Sequence, residues 1–436
     1  MTLLRTLAQS RFLRHVVSLS SGTALAQAIA LGFLPVLSRL YTPDDFGALA
    51  LYLAIVSPLY VLATFSYQEL IMLPRTHKAA AQLVRLIFFI SLLVATLTFF
   101  VVLLFREQIG VFLGNREVAP LLFFVPISVF FYGNYQALRY WTMRMQRFGT
   151  VSTGQVVKVA ANFSVATGAG MPVAGSHGGL SAQSGGGLVL GAVFAEIASA
   201  AWLFFKCHRR DQVLFGHMRR DRVMGMAARH RRMAASLTAS YAMSTGYFQL
   251  PAIVISSYFG AATLGFYAMA ERIVTAPALL IANAVGDVYR QRASVLYRET
   301  GRFDQLMIKT MMMILAIGIV PYAIGIFFAP DIFRFVLGPG WDVAGQYASI
   351  MLVGSFFSFI TTPVDKAAVI VGARRFIVLF HSLRLVLHVL AAGFVIAGYL
   401  DVLSYVIVLT VIRILVYGLM TVFSLHYAKG GYGGRE

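Results

Sequence analysis

Long apolar runs separated by short polar breaks dominate this chain. An α-helix needs about 20 mostly apolar residues to cross the hydrocarbon core of a bilayer. Read between charged or Pro/Gly-rich breaks, six runs of that size lie at about 16–40, 46–70, 83–105, 119–142, 151–170 and 186–206. Six more lie at about 235–258, 264–288, 307–329, 344–370, 376–398 and 401–426. The pattern predicts an all-α polytopic membrane protein of about 12 transmembrane helices. The run at 151–170 is polar for a span and carries Lys158.

The breaks also repeat. Residues 37–50 (LSRLYTPDDFGALA) and 255–268 (ISSYFGAATLGFYA) each end one run, cross a short loop and open the next. At an offset of 218 positions, Ser38 meets Ser256, Phe46 meets Leu264, Gly47 meets Gly265 and Ala50 meets Ala268. Upstream, Thr23 meets Tyr241 and Gln27 meets Thr245. A second echo sets Arg147 and Phe148 against Arg375 and Phe376. The longest basic segment divides the two sets. The expected organisation is an N-terminal six-helix lobe (1–205), a basic cytoplasmic linker (206–233) and a C-terminal six-helix lobe (234–436), the two lobes being pseudo-symmetric. Six spans per lobe bring both lobes in from the same side, so the repeats are parallel and a substrate path is expected between them. In the first loop, Pro43 and Gly47 are expected to make the turn. Asp44 and Asp45 would start the next helix at its positive end.

Composition agrees with the pattern: 59% of residues are hydrophobic and 12% charged, against about 25% charged in a soluble domain. The net charge of +19 is informative through its placement. Of 36 Lys and Arg, twenty-seven fall on the side of the N-terminus, four on the opposite side and five inside runs. Lys and Arg collect in cytoplasmic loops, so both termini are expected in the cytoplasm. Topology then explains the basic pI without nucleic acid. The first run is expected to be a retained span, although Ala24-Leu25-Ala26 resembles a signal cleavage site. A lone Cys207 excludes an intramolecular disulfide. The histidines show no metal-ligand spacing, and neither metal nor cofactor is expected. The segment 168–187, rich in glycine and uncharged, reads as a linker. No G-x-S-x-G, H-E-x-x-H or nucleotide-binding loop is present, so no catalytic residues are assigned and a transporter is expected instead of an enzyme.

Ionisable residues inside spans cost about 2.5–3.5 kcal/mol each at the bilayer centre on insertion scales, so they mark a lumen or an ion pair. In the eighth run a stripe passes from Arg272 through Thr275, Leu279, Asn283 and Asp287 to Arg290, in steps that keep one helical face. Candidate substrate contacts are Arg272, Lys158, Lys366, Asn283, Gln27, Thr245 and Tyr241. Candidate cation-coupling acids are Glu69, Glu196, Glu271, Asp287 and Asp365. Glu196 is also placed to pair with Lys158 of the preceding span. Arg384 and Arg413 could be structural ion-pair members or snorkelling residues near helix ends.

The segment from Ser20 to Pro58, with its small-residue first helix and the loop Arg39, Leu40, Tyr41, Pro43, Asp45, Phe46, Gly47, resembles bacterial polysaccharide transporters. These belong to the multidrug/oligosaccharidyl-lipid/polysaccharide (MOP) exporter superfamily. The resemblance implies an O-antigen or exopolysaccharide flippase in the bacterial inner membrane. It would carry an undecaprenyl-diphosphate-linked oligosaccharide through a cationic lumen by alternating access, with the lipid bilayer and the polysaccharide polymerase machinery as partners. The first run has no charge between Arg14 and Arg39, so it departs from the Arg-Asp type motif that marks the first helix of the peptidoglycan-precursor branch, and the resemblance implies another branch. A cation-coupled multidrug exporter and a membrane polysaccharide polymerase or ligase are the alternatives.

Overall fold

The structure, a computed structural model, describes residues 11–171, 185–211, 214, 220–364, 367–371 and 374–430. Side chains are not described at 11–21, 220–222, 277–284, 287, 368–369 and 374–378. Among the described residues, regular structure is helical throughout, and each of the twelve predicted runs has a helical counterpart. The chain is an all-α polytopic membrane protein.

The first half contains α1 (Arg11–Gly32), α2 (Leu34–Leu40), α3 (Pro43–Thr64), α4 (Tyr67–Leu70), α5 (His77–Phe112), α6 (Val125–Arg144), α7 (Phe148–Gly170) and α8 (Gly186–His208). The second half contains α9 (Arg220–Phe259), α10 (Ala261–Thr300), α11 (Asp304–Leu337), α12 (Asp342–Thr361), α13 (Ala367–Ile370), α14 (Arg374–Ile396) and α15 (Val402–Ala428). By length and composition, nine described segments can cross a membrane. Outside these nine, α7, α9 and α10 carry Lys158, Tyr241, Thr245 and Arg272.

The chain divides into two compact units. Unit 1 comprises residues 1–245 with 260–262, and unit 2 comprises residues 246–259 with 263–436. Helix α9 starts at Arg220, inside the segment expected as a linker, and continues unbroken to Phe259. Its first part packs into unit 1: Val223 and Ala234 share a core with Tyr67, Leu83, Trp141 and Leu203. In unit 2, Tyr289, Phe303, Met307 and Val364 form a smaller core. Other apolar side chains point outward. Leu104 on α5 is 66% exposed and Phe327 on α11 is 78% exposed. In water such surfaces would drive association; hydrocarbon removes that penalty.

The repeated loop differs from its expected geometry at one residue. Thr42 is the N-cap of α3, with its hydroxyl accepting from the Asp45 amide. Asp45 returns the bond to the Thr42 N–H at 2.8 Å, closing a capping box. Pro43 occupies the first turn, where a missing N–H costs nothing. Asp45 Oδ1 also accepts the Gly185 N–H at 2.6 Å, which ties the start of α8 to this loop. Gly47 is not part of the turn. It lies in the helix, where a Cβ would collide with the carbonyl oxygen of Ala261. Its glycine permits backbone-to-backbone contact with Ala261. Gly47→Ala is expected to destabilise the protein by about 1–3 kcal/mol through overpacking. Gly32→Ala, whose Cβ meets nothing within 4 Å, is expected to leave thermal unfolding in detergent nearly unchanged.

Candidate functional site

Ionisable groups at membrane depth gather inside each unit. In unit 1, α7 brings Lys158 and α8 brings Glu196 to 2.7 Å. The Lys158 Nζ also lies 5.0 Å from the ring centre of Tyr135 and 5.9 Å from that of Tyr132. Tyr60 of α3 stacks on Tyr132 at 3.8 Å, and its hydroxyl donates to Glu196 Oε1 at 3.4 Å. Gln136 donates to the Tyr132 oxygen at 2.7 Å and accepts from Arg139 at 3.3 Å. Two tyrosine rings thus face a lysine whose carboxylate partner is buried. Both donors to Glu196 use Oε1; its Oε2 is buried with no hydrogen-bond partner.

A second acid sits at a break in the predicted second span. Phe65 and Ser66 adopt left-handed φ values of 42° and 54°, separating α3 from α4. Consecutive non-glycine residues of that kind cost roughly 1–3 kcal/mol each and persist only where their surroundings fix them. Here Thr238 of α9 donates to Ser66 at 3.1 Å, and Tyr67 donates to the Ala227 carbonyl at 3.1 Å. Just beyond the break, Glu69 accepts from Tyr140 at 2.6 Å and from Tyr241 at 3.2 Å. Tyr241, taken from the sequence as a substrate contact, is therefore a partner of Glu69. In α1, Thr23 donates to Gln155 of α7 at 2.8 Å, one turn from Gln27.

Unit 2 has a different charge balance. Glu271 of α10 receives both hydrogen bonds from Arg413 Nη2 of α15, at 2.9 and 3.2 Å. One turn further along α15, Tyr417 lies under the guanidinium of Arg384, 5.3 Å from its ring centre. Tyr247 and Phe248 of α9 complete an aromatic box at 4.3 and 5.2 Å. Arg384 is 6% exposed and has no ion pair among the described residues, and its Nε is unpartnered. His388 sits one turn on, its Nδ1 2.8 Å from the Arg384 carbonyl oxygen. Arg272 is partly exposed, with no carboxylate partner among the described residues. An apolar cavity of about 250 Å³ is lined by Ile273 and Val274 of the same turn, together with α11 and α12 residues such as Tyr322, Leu352 and Phe359.

The structure therefore unites Lys158 with Glu196, Glu69 with Tyr241, and Glu271 with Arg413. It leaves Arg272 unpaired among the described residues. Thr245 is placed on α9, in unit 1. The side chains of Asn283 and Asp287, and both Asp365 and Lys366, lie outside the described residues. Arg413 pairs with Glu271, one of the two structural roles expected for it, whereas the aromatic box around Arg384 is not among the sequence expectations. The adjacent aromatic pair Tyr247-Phe248 and Tyr417, four residues after Arg413, were the signals available. Glu196→Gln is expected to cost about 3 kcal/mol by leaving Lys158 without its carboxylate. The double change Glu196→Gln with Lys158→Met should recover most of that loss in thermal unfolding. Full additivity of the two changes would show that the pair is uncoupled.

Comparison with known proteins places this geometry. The family model for polysaccharide biosynthesis protein matches residues 36–346. No curated protein matches significantly. Among solved structures, a MATE family multidrug resistance transporter of the MOP superfamily, in an inward-facing conformation, aligns with a TM-score of 0.67 at 12% identity. The alignment covers 94% of this chain and 97% of that one. The lipid II flippase MurJ, in an inward closed conformation, aligns with a TM-score of 0.66 at 15% identity over 92% of this chain and 87% of its own. A MOP superfamily transporter from Pyrococcus furiosus, described as having a binding pocket of reversed polarity, gives 0.58 at 14% identity with 94% of both chains covered. The chain adopts the MOP transporter fold and belongs to the polysaccharide biosynthesis protein family.

Proposed function

We propose that this protein is a flippase that moves an undecaprenyl-diphosphate-linked oligosaccharide across the bacterial inner membrane by alternating access. The oligosaccharide would be the repeat unit of an O-antigen or exopolysaccharide. The observation that carries this reading is the cationic surplus among the described residues inside unit 2. Arg272, Arg384 and Arg413 are opposed there by Glu271 among the described residues. A guanidinium presents a rigid fork of donors that suits a diphosphate, and it is less strongly hydrated than an ammonium. The family match supports a role in polysaccharide assembly. The fold shared with a lipid II flippase supports a lipid-linked sugar as cargo. The distribution of Lys and Arg supports cytoplasmic termini.

One observation favours a cation-coupled multidrug exporter instead. Glu196 Oε2 in unit 1 is a buried carboxylate oxygen without a donor, suited to a proton or a small cation. In a flippase the same atom would serve coupling.

In a strain lacking the native gene, Arg272→Ala is expected to lower surface polysaccharide at least about tenfold, the equivalent of one charge-assisted hydrogen bond of roughly 1.5–3 kcal/mol. Arg272→Lys should retain part of the activity. Lipid-linked repeat units should accumulate on the cytoplasmic leaflet. Unchanged polysaccharide with the variant expressed, together with a Glu196-dependent loss of drug tolerance, would reassign the protein to the exporter reading.

A further inference from the structure

A small cationic cavity lies at one end of the α6–α8 helices of unit 1, lined by none of the residues around Lys158 and Glu196. Its volume is about 60 Å³, and its lining is Thr142, Arg147, Thr150, Lys206, Cys207 and Arg210. It forms where α6 ends, α7 begins and α8 ends. A water molecule needs only about 10–15 Å³ of such space, so the cavity has room for a larger polar group.

Its charge is unbalanced for a definite reason. The adjacent carboxylate, Asp211, is 8% exposed and is saturated from inside the protein. Arg147 donates to both its oxygens at 2.8 Å, and Trp141 Nε1 donates to Oδ2 at 3.0 Å. Asp211 thereby fixes Arg147, whose guanidinium it holds further from deprotonation than usual through those hydrogen bonds. The Lys206 ammonium meets the Trp202 ring at 4.6 Å. Neither Lys206 nor Arg210 has a carboxylate partner among the described residues. Three cations against one carboxylate leave a surplus of two. The Thr150 hydroxyl adds a further donor at the rim. Basic pockets at the ends of transmembrane helices hold anionic head groups in membranes, and Trp beside a cation marks the interfacial level.

We propose that this cavity binds a phosphate group, supplied either by the head group of an anionic phospholipid or by free phosphate. Lys206, Arg210 and Thr150 would contact the oxygens, and Arg147 would form the fixed wall. The site does not depend on the flippase reading.

The test uses purified, delipidated full-length protein in phosphatidylcholine-doped micelles, followed by thermal unfolding. Added phosphatidylglycerol is expected to raise the midpoint saturably. The double variant Lys206→Gln/Arg210→Gln should weaken the apparent affinity at least tenfold. The charge-retaining Lys206→Arg/Arg210→Lys should keep the response, and Thr150→Val should lose a smaller part of it. The control Arg229→Gln/Arg231→Gln removes equal charge from exposed positions on α9 and should respond like the unmodified protein. Inorganic phosphate in phosphatidylcholine micelles separates the sources: a saturable rise, lost in the same double variant, assigns the site to free phosphate. A rise with phosphatidylglycerol alone assigns it to the head group. An unaltered response in Lys206→Gln/Arg210→Gln, or an equal loss in the control, overturns the proposal.

Discussion

A polar group at membrane depth must find its partner inside the protein, because the surrounding hydrocarbon offers none. That constraint organises most of the structure. It turns apolar side chains on α5 and α11 outward and draws Lys158, Glu196, Glu271, Arg384 and Arg413 inward. It also explains why rings surround the charges. A tyrosine or phenylalanine face stabilises a cation by its quadrupole and adds no carboxylate that would cancel it. Arg384 lies in such a box, with no ion pair among the described residues.

Helices and their order were legible in the sequence because length and apolarity are themselves the requirement for crossing a bilayer. The first loop was legible because a capped helix start needs particular residues, and Thr42, Pro43 and Asp45 meet that need. The function of Gly47 was not: a glycine after a Pro-Asp-Asp stretch suggests a turn, whereas here it answers to the Ala261 carbonyl, a contact set by tertiary packing. The Lys158–Glu196 pairing was readable, since two opposite charges on successive apolar spans have few other partners. The aromatic box was not, because its members come from α9, α14 and α15, and no spacing rule links helices so distant in sequence. Nor did any local signal announce the break at Phe65 and Ser66, which lacks glycine.

The repeated scaffold carries unlike chemistry in its two units. The echo at 37–50 and 255–268 concerns a loop and its packing. Within unit 1 the described charges centre on acids held by tyrosine hydroxyls, with one carboxylate oxygen unpartnered. Within unit 2 they centre on arginines held by rings and by one glutamate. The two units thus resemble each other in being built of packed helices and differ in the charged groups they enclose among the described residues.

The boxed Arg384 has a consequence for timing. A guanidinium does not give up its proton in a protein, so the attraction it exerts is constant whatever the acidity on either side of the membrane. An anion drawn to that charge cannot be released by neutralising it. Release would have to come from distance, with rings and helices carrying the charge away from its guest, or from water admitted to screen it. For any anion held at this charge, the moment of release would be set by how far the surrounding helices move or how much water they admit, and by nothing in the guanidinium itself.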